Sequence, residues 1–313
     1  MVVLYNIYVW VRTGSDTSVA VYCDTTVIKS GGNIMREIKA QQITDVVKNL
    51  CIKANCYLPA DVKKRIEDLR AAEPWPQAQE VLDRIIENYN IAEEGCRPIC
   101  QDTGLACVFV KVGQDVHIDG NLNDAINEGV RQGYTEGYLR KSVVRDPLDR
   151  VNTGDNTPAM IYYDIVPGDK VEITIAPKGA GSENMSQIKM LKPSDGVQGV
   201  KDFVLWAVEN AGPNPCPPIV VGVGVGGTFD KAAFLAKKAL TRNFDERNPN
   251  PFWADMENEL LEKINALGIG PQGLGGKTTA LAVNIEQFPA HIASLPVAVN
   301  INCHVARHET EVI

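Results

Sequence analysis

The chain lacks the features that mark membrane, secreted and nucleic-acid-binding proteins. It has no run of about 18 apolar residues, so no membrane-spanning helix is expected. The N terminus has neither a basic n-region nor a small-residue cleavage site, which argues against a secretory signal. Acidic residues outnumber basic ones by 39 to 31, and the net charge of -8 disfavours nucleic acid or an anionic membrane as the main partner. Repeats and low-complexity tracts are also missing.

Cysteine, by contrast, is plentiful. Eight cysteines in 313 residues without a signal peptide indicate a reducing compartment and thiol or metal chemistry, not a disulfide framework. We therefore expect a cytoplasmic location. The length allows one large domain or two smaller ones with ample core.

The pattern along the chain predicts an α/β fold, with a helical N-terminal region followed by a mixed α/β body whose sheets are covered by helices. Residues 1–34 differ from the rest and form an extension, either a disordered leader or the product of an upstream start, since Met35 is a natural first residue. Apolar spacing then predicts a helical part over 35–92 within a domain of 35–313. The strands predicted from alternation and β-branched runs are 105–112, 159–166, 170–176, 218–223, 279–285 and 296–302. The helices predicted between them are 121–138, 196–211, 228–240 and 253–267.

Three cysteines stand in unusual settings. Cys100 lies in Pro-Ile-Cys-Gln-Asp-Thr-Gly, Cys216 between prolines in Asn-Pro-Cys-Pro-Pro, and Cys303 in Asn-Ile-Asn-Cys-His. Electron-transfer clusters are normally held by four cysteines, whereas a catalytic metal keeps one position open. Three thiolates would hold a four-iron cluster and leave one iron without a protein ligand. Each thiol alone is weak support, because free cysteine usually behaves as a small buried hydrophobe.

Each setting also has a plain structural explanation. The turn at Cys100 brings a thiol, an amide and a carboxylate together, but Asp102 could equally form an ordinary polar turn. The prolines around Cys216 stiffen its loop, which suits either a ligand or a stop before a strand. His291, twelve residues before Cys303, is as well explained by a solvated turn.

Two glycine-rich stretches suggest nucleotide binding only in part. Gly222, Gly224 and Gly227 fit G-x-G-x-x-G, but no strand with a terminal acidic residue follows at the required distance, and close helix packing explains the glycines equally well. Gly276-Lys277-Thr278 resembles the end of a P-loop, yet Pro271 stands where the first glycine is required.

Five motifs taken together resemble the class I, iron-sulfur fumarate hydratase and L-tartrate dehydratase family. They are Cys-Gln-Asp-Thr-Gly at 100–104, Lys-Gly-Ala-Gly-Ser-Glu-Asn at 178–184, Pro-Cys-Pro-Pro at 215–218, Gly-Pro-Gln-Gly-Leu-Gly-Gly at 270–276 and Asn-Cys-His at 302–304. The likeness runs from about Met35 to the C terminus. It implies the α chain of a two-chain enzyme, because single-chain members continue into a second domain that is absent here.

The resemblance implies a set of site residues. It assigns Cys100, Cys216 and Cys303 to a 4Fe-4S cluster, and Asp102 to acid-base catalysis. The substrate contacts that it implies are Gln101, Arg140, Gly181, His291 and Arg307. Cys96 and Cys107 flank the first motif as competing ligands, and the motif favours Cys100.

The resemblance also implies the reaction and the partners. The expected activity is the reversible hydration of fumarate to (S)-malate, with L-tartrate dehydration as the alternative, on a small dicarboxylate. A separate β subunit carrying the C-terminal domain would complete a hetero-oligomer of α and β chains. Outside the family, the alternatives are an NAD-dependent oxidoreductase using the glycines at 222–227 and a zinc-binding scaffold using the same cysteines.

Overall fold

The computed structural model describes residues 35–313 and, nearer the N terminus, the backbone of two strands. These strands, β1 (Tyr8–Thr13) and β2 (Thr17–Tyr22), pair antiparallel. The other residues of the predicted extension 1–34 lie outside the described residues, so its disordered or non-native character stays a prediction.

The helical N-terminal part consists of three helices preceded by a short strand. The strand is β3 (Arg36–Lys39), and the helices are α1 (Ala40–Cys56), α2 (Ala60–Ala72) and α3 (Pro76–Gly95). The expectation that a helix starts at Met35 is wrong at this point, because β3 pairs in parallel with a strand formed by Val116–Asp119. That partner lies about 80 residues further along, and local apolar spacing does not reveal such long-range pairing.

The rest of the chain alternates strands and helices. In order, the elements are β4 (Leu105–Gly113), β5 (Val116–Asp119), α4 (Leu122–Glu136), β6 (Met160–Val166), β7 (Val171–Lys178), α5 (Ala180–Glu183), β8 (Gln187–Leu191), α6 (Gly196–Ala211), β9 (Ile219–Gly226), α7 (Phe229–Ala239), α8 (Pro251–Ala266), β10 (Ala280–Phe288), β11 (Leu295–Asn302) and β12 (Glu309–Val312). The predicted α/β class is confirmed. No helix of the described chain combines the length and the apolar character needed to cross a membrane.

Two four-stranded mixed sheets form the body. One has the order β10-β9-β11-β8, in which β9 and β10 are parallel and β11 is antiparallel to both neighbours. The other has the order β12-β7-β4-β6, in which β4 and β6 are parallel and β7 is antiparallel to β4 and β12. Mixed sheets of this kind bury their faces under helices.

Three large apolar clusters hold the layers together. The first packs α6 and α8 on the β9 sheet, and the second packs α1 and α4 on the β4 sheet. The third joins α2 and α3 to Val220 and Leu281 of the β9 sheet, and the half-buried Cys100 and Cys303 pack at its edge. Two of the singled-out cysteines therefore lie where the helical part meets the sheets.

Candidate active site

The strand directions bring all five sequence motifs to one end of the molecule. The motif at 100–104 leads into β4, and the motif at 178–184 leaves its antiparallel partner β7, with Leu105 opposite Lys178. In the other sheet, the loops at 215–218 and 270–276 precede the parallel strands β9 and β10, while 302–304 ends the antiparallel β11. A strand start and the end of its antiparallel neighbour share one edge of a sheet.

The Cys100 turn is built around the carboxylate of Asp102. One carboxylate oxygen accepts a hydrogen bond from the Gly104 amide at 3.0 Å, and the other accepts from the Ala180 amide at 2.9 Å. The same side chain thus fastens the first motif to the second. The Asp102 amide in turn donates to the Cys100 sulfur at 3.4 Å.

Gly104 explains why the two motifs approach so closely. It has a φ of +72°, and a Cβ at this position would lie 2.7 Å from the Lys178 carbonyl group. A larger residue would be strained there and would also separate the two loops.

Cys216 sits exposed in a loop with a left-handed φ of 55°, which is uncommon for a residue other than glycine. Its carbonyl oxygen lies 3.4 Å from the donating His304 amide and 3.0 Å from His304 Nδ1. Gln272 holds the other side of the loop, because its backbone and side-chain N–H groups donate to the Pro217 carbonyl at 2.7 and 2.8 Å. Strained residues that the surroundings hold in place often mark functional sites.

Arg307 connects the Cys303 end of the chain to the Asp102 turn. Its guanidinium donates to the Asp102 carbonyl oxygen, and the residue is only 4% exposed. Its Nε and Nη1 groups are buried without a hydrogen-bond partner in the structure. Unpaired buried donors of this kind are rare and call for an explanation.

Cys100 influences the other two thiols electrostatically. Partial burial of the sulfur, and then the charge of Cys100, raises the pKa of Cys216. Burial also raises the pKa of Cys303, with Cys100 adding to the rise, while the Arg307 charge and the Val305 amide lower it. Burial lowers the pKa of His304, which favours a neutral ring beside the Cys216 carbonyl.

Three thiols are a donor set that can hold a four-iron cluster. Among residues 35–313, no three His, Cys, Asp or Glu side chains stand close enough to share one metal ion. A single zinc requires its ligands at about 2.0–2.3 Å from one point, whereas the cysteines around a cluster bind different irons. The unpaired Arg307 donors beside Cys303 also suit an anionic group.

Arg140 is exposed, and its backbone is held next to the first motif. The Thr103 hydroxyl donates to the Arg140 carbonyl at 3.1 Å. Fully buried Asn156 donates to Gly104 O at 3.1 Å and accepts from the Ser142 amide at 2.6 Å. Sequence reasoning missed Asn156, because nothing in the local sequence pattern indicated its role or its left-handed φ of 65°.

Gln101 and Gly181, two further residues of the predicted pocket, also lie at this end. Gln101 is exposed, with its side-chain oxygen 3.3 Å from the Cys100 sulfur. Gly181 is exposed too, and the nearest atom to a Cβ there is Asn214 O, at 4.0 Å, in the loop before Cys216. The backbone at Gly181 therefore borders open space between the two motif loops.

His291 does not join the other predicted residues within the chain. It is exposed in the turn between β10 and β11, whereas Cys303 follows the far end of β11. Eight strand residues at about 3.3 Å each place the two ends about 26 Å apart. His291 therefore lies at the opposite end of the sheet from the three thiols.

The competing cysteines have other partners. Cys107 is 3% exposed on β4 and lines a small cavity of about 10 Å³ with Lys178 and Arg307. The Cys96 thiol lies against Cys56 at 3.6 Å. Neither flanking thiol shares the setting of Cys100.

The glycines at 222–227 serve packing between a helix and a strand. A Cβ on Gly222 would lie 2.1 Å from Ala236 O, and a Cβ on Gly224 would lie 2.0 Å from Ala232 O, both on α7. Backbone from the protein itself thus fills the space that a pyrophosphate would require, which favours the packing explanation over the dinucleotide one.

The P-loop-like segment binds a carboxylate of the chain itself. The Lys277 and Thr278 amides donate to the Glu73 carboxylate at 3.0 and 2.9 Å, and the Thr278 hydroxyl donates at 2.6 Å. Although burial alone would raise the pKa of Glu73, these hydrogen bonds lower it. The loop therefore holds an internal anion, and this contact anchors the 270–276 motif to the helical part.

Comparison with known proteins agrees with the arrangement of these motifs. The model of the family described as fumarate hydratase (Fumerase) matches residues 44–312. A Methanocaldococcus jannaschii protein provisionally named L(+)-tartrate dehydratase subunit alpha is 49% identical over 273 residues, covering 85% of this chain and 95% of that protein. The L(+)-tartrate dehydratase subunit alpha of Escherichia coli strain UTI89 is 35% identical, and that of strain K12 is 34% identical, each over 88% of this chain and 94% of the relative. The chain belongs to the class I fumarate hydratase family of hydro-lyases, which includes these tartrate dehydratase α subunits.

Proposed function

We propose that this chain is the α subunit of an iron-sulfur hydro-lyase that reversibly hydrates fumarate to (S)-malate. The observation that carries the proposal is the arrangement at one end of both sheets. There the Asp102 carboxylate joins the Cys100 turn to the 178–184 loop, Arg307 joins the chain after Cys303 to Asp102, and His304 contacts the Cys216 carbonyl. Cys100, Cys216 and Cys303 would hold a 4Fe-4S cluster. When bound, the cluster would supply a Lewis-acidic iron that has no protein ligand.

Asp102 is suited to hold and transfer a proton. Its carboxylate orientation is set by two backbone amides, one on each oxygen. Each oxygen of an ionised carboxylate keeps further acceptor capacity, so a substrate hydroxyl can still be bound. A positioned acid or base of this kind contributes about 10²–10⁴-fold to the rate.

The exposed polar residues around Asp102 are suited to bind a dicarboxylate. Arg140 forms no salt bridge with an acidic residue of the described chain, and its guanidinium can bind a carboxylate through two parallel hydrogen bonds. Gln101 can orient the hydroxyl group, and the backbone at Gly181 can contact the second carboxylate. We assign Arg307 to the region behind Cys303, because it is 4% exposed and thus poorly placed for an open substrate surface.

The open character of the site supports a partner. Gln101, Arg140, Gly181 and Cys216 are all exposed, so the chain by itself leaves the reacting face in water. In a trans addition of water, the hydroxyl group and the proton add to opposite faces of the double bond. Such a reaction requires protein groups on both sides of the substrate. We infer that a separate β subunit covers this face and supplies the remaining groups, in keeping with the α-subunit names of the relatives.

L(+)-tartrate is the second candidate substrate, and the names of the relatives favour it. Dehydration of tartrate and of malate, the reverse of fumarate hydration, both break a carbon-oxygen bond beside a carboxylate and would need the same iron, base and cationic contacts. Tartrate differs by one further hydroxyl group. A site with a hydrogen-bond partner for that hydroxyl discriminates strongly against the substrate that lacks it.

Anaerobic purification of the chain with its β subunit tests the proposal. We expect about four irons per α chain. We also expect hydration of fumarate, measured as the loss of fumarate absorbance. Activity should decay in air and recover on addition of ferrous iron and reductant. Replacement of Cys100, Cys216 or Cys303 by Ser should remove iron and activity together. Cys51→Ser is the control, because Cys51 is fully buried in α1 outside the site.

The substrate comparison uses the same preparation. A higher kcat/KM for L(+)-tartrate than for fumarate would replace the first candidate by the second. Activity that persists in air with no iron would refute the iron-sulfur mechanism for both.

A further inference from the structure

Two further cysteines lie close together outside the candidate active site. Cys56 is the last residue of α1, and Cys96 follows the end of α3 with a left-handed φ of 45°. The Cys96 thiol donates a hydrogen bond to the Cys56 sulfur at 3.6 Å. The two residues are 40 positions apart in sequence, so their contact is produced by the packing of the two helix ends.

The two thiols differ in access to solvent. Cys96 is exposed, whereas Cys56 is only 1% exposed. Burial, and then the contact with Cys96, raises the pKa of Cys56 to about 12. Tyr57 also contacts Cys96, and this contact raises the pKa of the Tyr57 hydroxyl. A solvent-accessible cysteine next to a second cysteine is a common arrangement of redox-sensitive thiols, in which the second thiol resolves the oxidised one to a disulfide.

The backbone around the pair is already fastened at several points. The Arg97 amide donates to Ala92 O at 2.9 Å, and the Ile99 amide donates to Asn55 O at 3.0 Å. Asn88 on α3 donates to Ile99 O at 2.9 Å. The segment 96–100 thus runs from the Cys56–Cys96 contact directly to Cys100, held by the ends of α1 and α3.

We propose that Cys56 and Cys96 form a redox-active dithiol, which a peroxide converts to a disulfide that fastens the segment carrying Cys100 to α1. The Cys96 sulfur attacks the peroxide O–O bond, which yields a sulfenic acid on Cys96 and one water. The Cys56 sulfur then attacks the Cys96 sulfur, and the sulfenic oxygen leaves as a second water. The two thiols thereby lose two electrons and two protons to the peroxide. Formation of the disulfide does not depend on the proposed function. Only the view that the disulfide holds a cluster ligand, Cys100, in place rests on the proposed function.

For the bond to form, the sulfur atoms must approach from 3.6 Å to about 2.05 Å, a shift of about 1.5 Å. Cys51, one turn and a half earlier in α1, is fully buried, and burial raises its pKa to about 12. Cys51 therefore provides a matched cysteine that peroxide should leave untouched.

Peptide mapping of the full chain, iron-free and iron-loaded, tests the proposal directly. After stepwise addition of hydrogen peroxide, remaining thiols are alkylated in denaturant and the chain is digested without reductant. We expect a cross-linked Cys56–Cys96 peptide, loss of two thiols per chain, and reversal by dithiothreitol. Cys96→Ser should abolish the cross-link, Cys56→Ser should leave a sulfenic acid on Cys96 that a dimedone probe captures, and Cys51→Ser should behave as the unaltered chain. Oxidation of Cys96 to sulfinic acid without a cross-link, or its pairing with Cys100, would refute the dithiol.

Thermal unfolding of the iron-free chain tests the fastening. Closure of a 40-residue loop should raise the apparent Tm of the oxidised chain above that of the reduced chain. Cys96→Ser should show no such difference between the two treatments. A disulfide that forms without any rise in Tm would refute the fastening. Because the unfolding measurement and one arm of the peptide mapping use iron-free protein, their outcome is separate from that of the hydratase assays.

Discussion

At the scale of single residues, the site depends on side chains that bind backbone atoms of other motifs. Asp102 binds an amide of its own turn and an amide of the 178–184 loop, and Arg307 binds the Asp102 carbonyl. Gln272 and His304 hold the Cys216 loop from two sides. In the proposed reaction, such contacts would fix the positions of the reacting groups before substrate binds and so limit the entropy lost.

Replacement of Asp102 by Asn tests its part in proton transfer. The amide keeps one acceptor for the Gly104 or Ala180 N–H group but cannot hold the proton, so we expect kcat to fall by about 10²–10⁴-fold. Iron content should stay unchanged, since Asp102 is not a proposed ligand. Steady-state kinetics with parallel iron analysis checks this, and an unaltered kcat would exclude Asp102 as the acid or base.

Replacement of Arg140 by Ala tests the dicarboxylate contact. Loss of a charged hydrogen-bond partner should lower kcat/KM by roughly 10- to 100-fold and leave iron in place. Arg145→Ala is the control, because Arg145 is exposed in the same region outside the motifs. Equal effects of the two substitutions would show that Arg140 acts only through general surface charge.

At the scale of elements, Glu183 joins the two sheets beside the site. It accepts from Lys237 on α7 at 2.5 Å and from Asn300 on β11 at 3.0 Å, and it pairs with Lys178 at the end of β7 at 3.2 Å. Burial by itself raises the pKa of Glu183, but the charges of Lys178 and Lys237, with hydrogen bonds from Lys237 and Asn300, lower it to about 2. Because Lys178 is only 6% exposed, this ion pair is the main compensation for the water that its charge loses on burial.

The lowered pKa of Glu183 predicts a loss of stability in acid. An ionised Glu183 stabilises the fold above its ordinary pKa of 4.5, and this contribution is lost as the pH falls from there to about 2. Glu183→Gln should therefore lower the urea midpoint of unfolding at pH 7 and make it less dependent on pH between about 5 and 2. Glu262→Gln, at an exposed position on α8, serves as the control, and equal pH profiles for both variants would contradict the assignment.

At the scale of the whole molecule, the β9 sheet has two distinct exposed ends. The end near His291 is separate from the end where the three thiols lie. His291 is next to Ile292, which is 92% exposed, and near Phe229 and Phe288, which are 60% and 50% exposed. Contiguous apolar side chains on a surface mark contacts with other chains. If His291 contacts substrate, it must reach the site of another copy of the chain, since about 26 Å separates it from its own Cys303.

Co-expression of two variants tests whether His291 acts in the site of another copy of the chain. His291→Ala and Cys303→Ser chains should each be inactive with the β subunit, and their co-expression should restore part of the activity. One mixed site then has the cysteine from one chain and the histidine from the other. Activity that stays absent in the mixture, or full activity of His291→Ala alone, would exclude the contribution of a second copy.

The local sequence determined most elements and the chemical types at the site. Predicted strands such as 105–112 and helices such as 196–211 match β4 and α6 closely, because their apolar spacing reflects a single buried face. The five motifs also identified the family, since unusual residue types at fixed spacing depend little on the surrounding fold. Short edge strands such as β8 and β12 escaped, because their pairing rather than their composition makes them strands.

Only the tertiary structure decided which of these residues meet. Strand direction places the loops before β9 and after β11 at one edge and sends His291 to the other, and sequence separation alone carries no such information. Close packing of α7 on β9 accounts for Gly222 and Gly224, and the Glu73 carboxylate occupies the amides of the 277–278 loop. The contact between Cys56 and Cys96 likewise arises where two helices end together. In each case the deciding contact joins residues far apart in the chain, so it depends on how the helices and sheets pack and not on the local sequence.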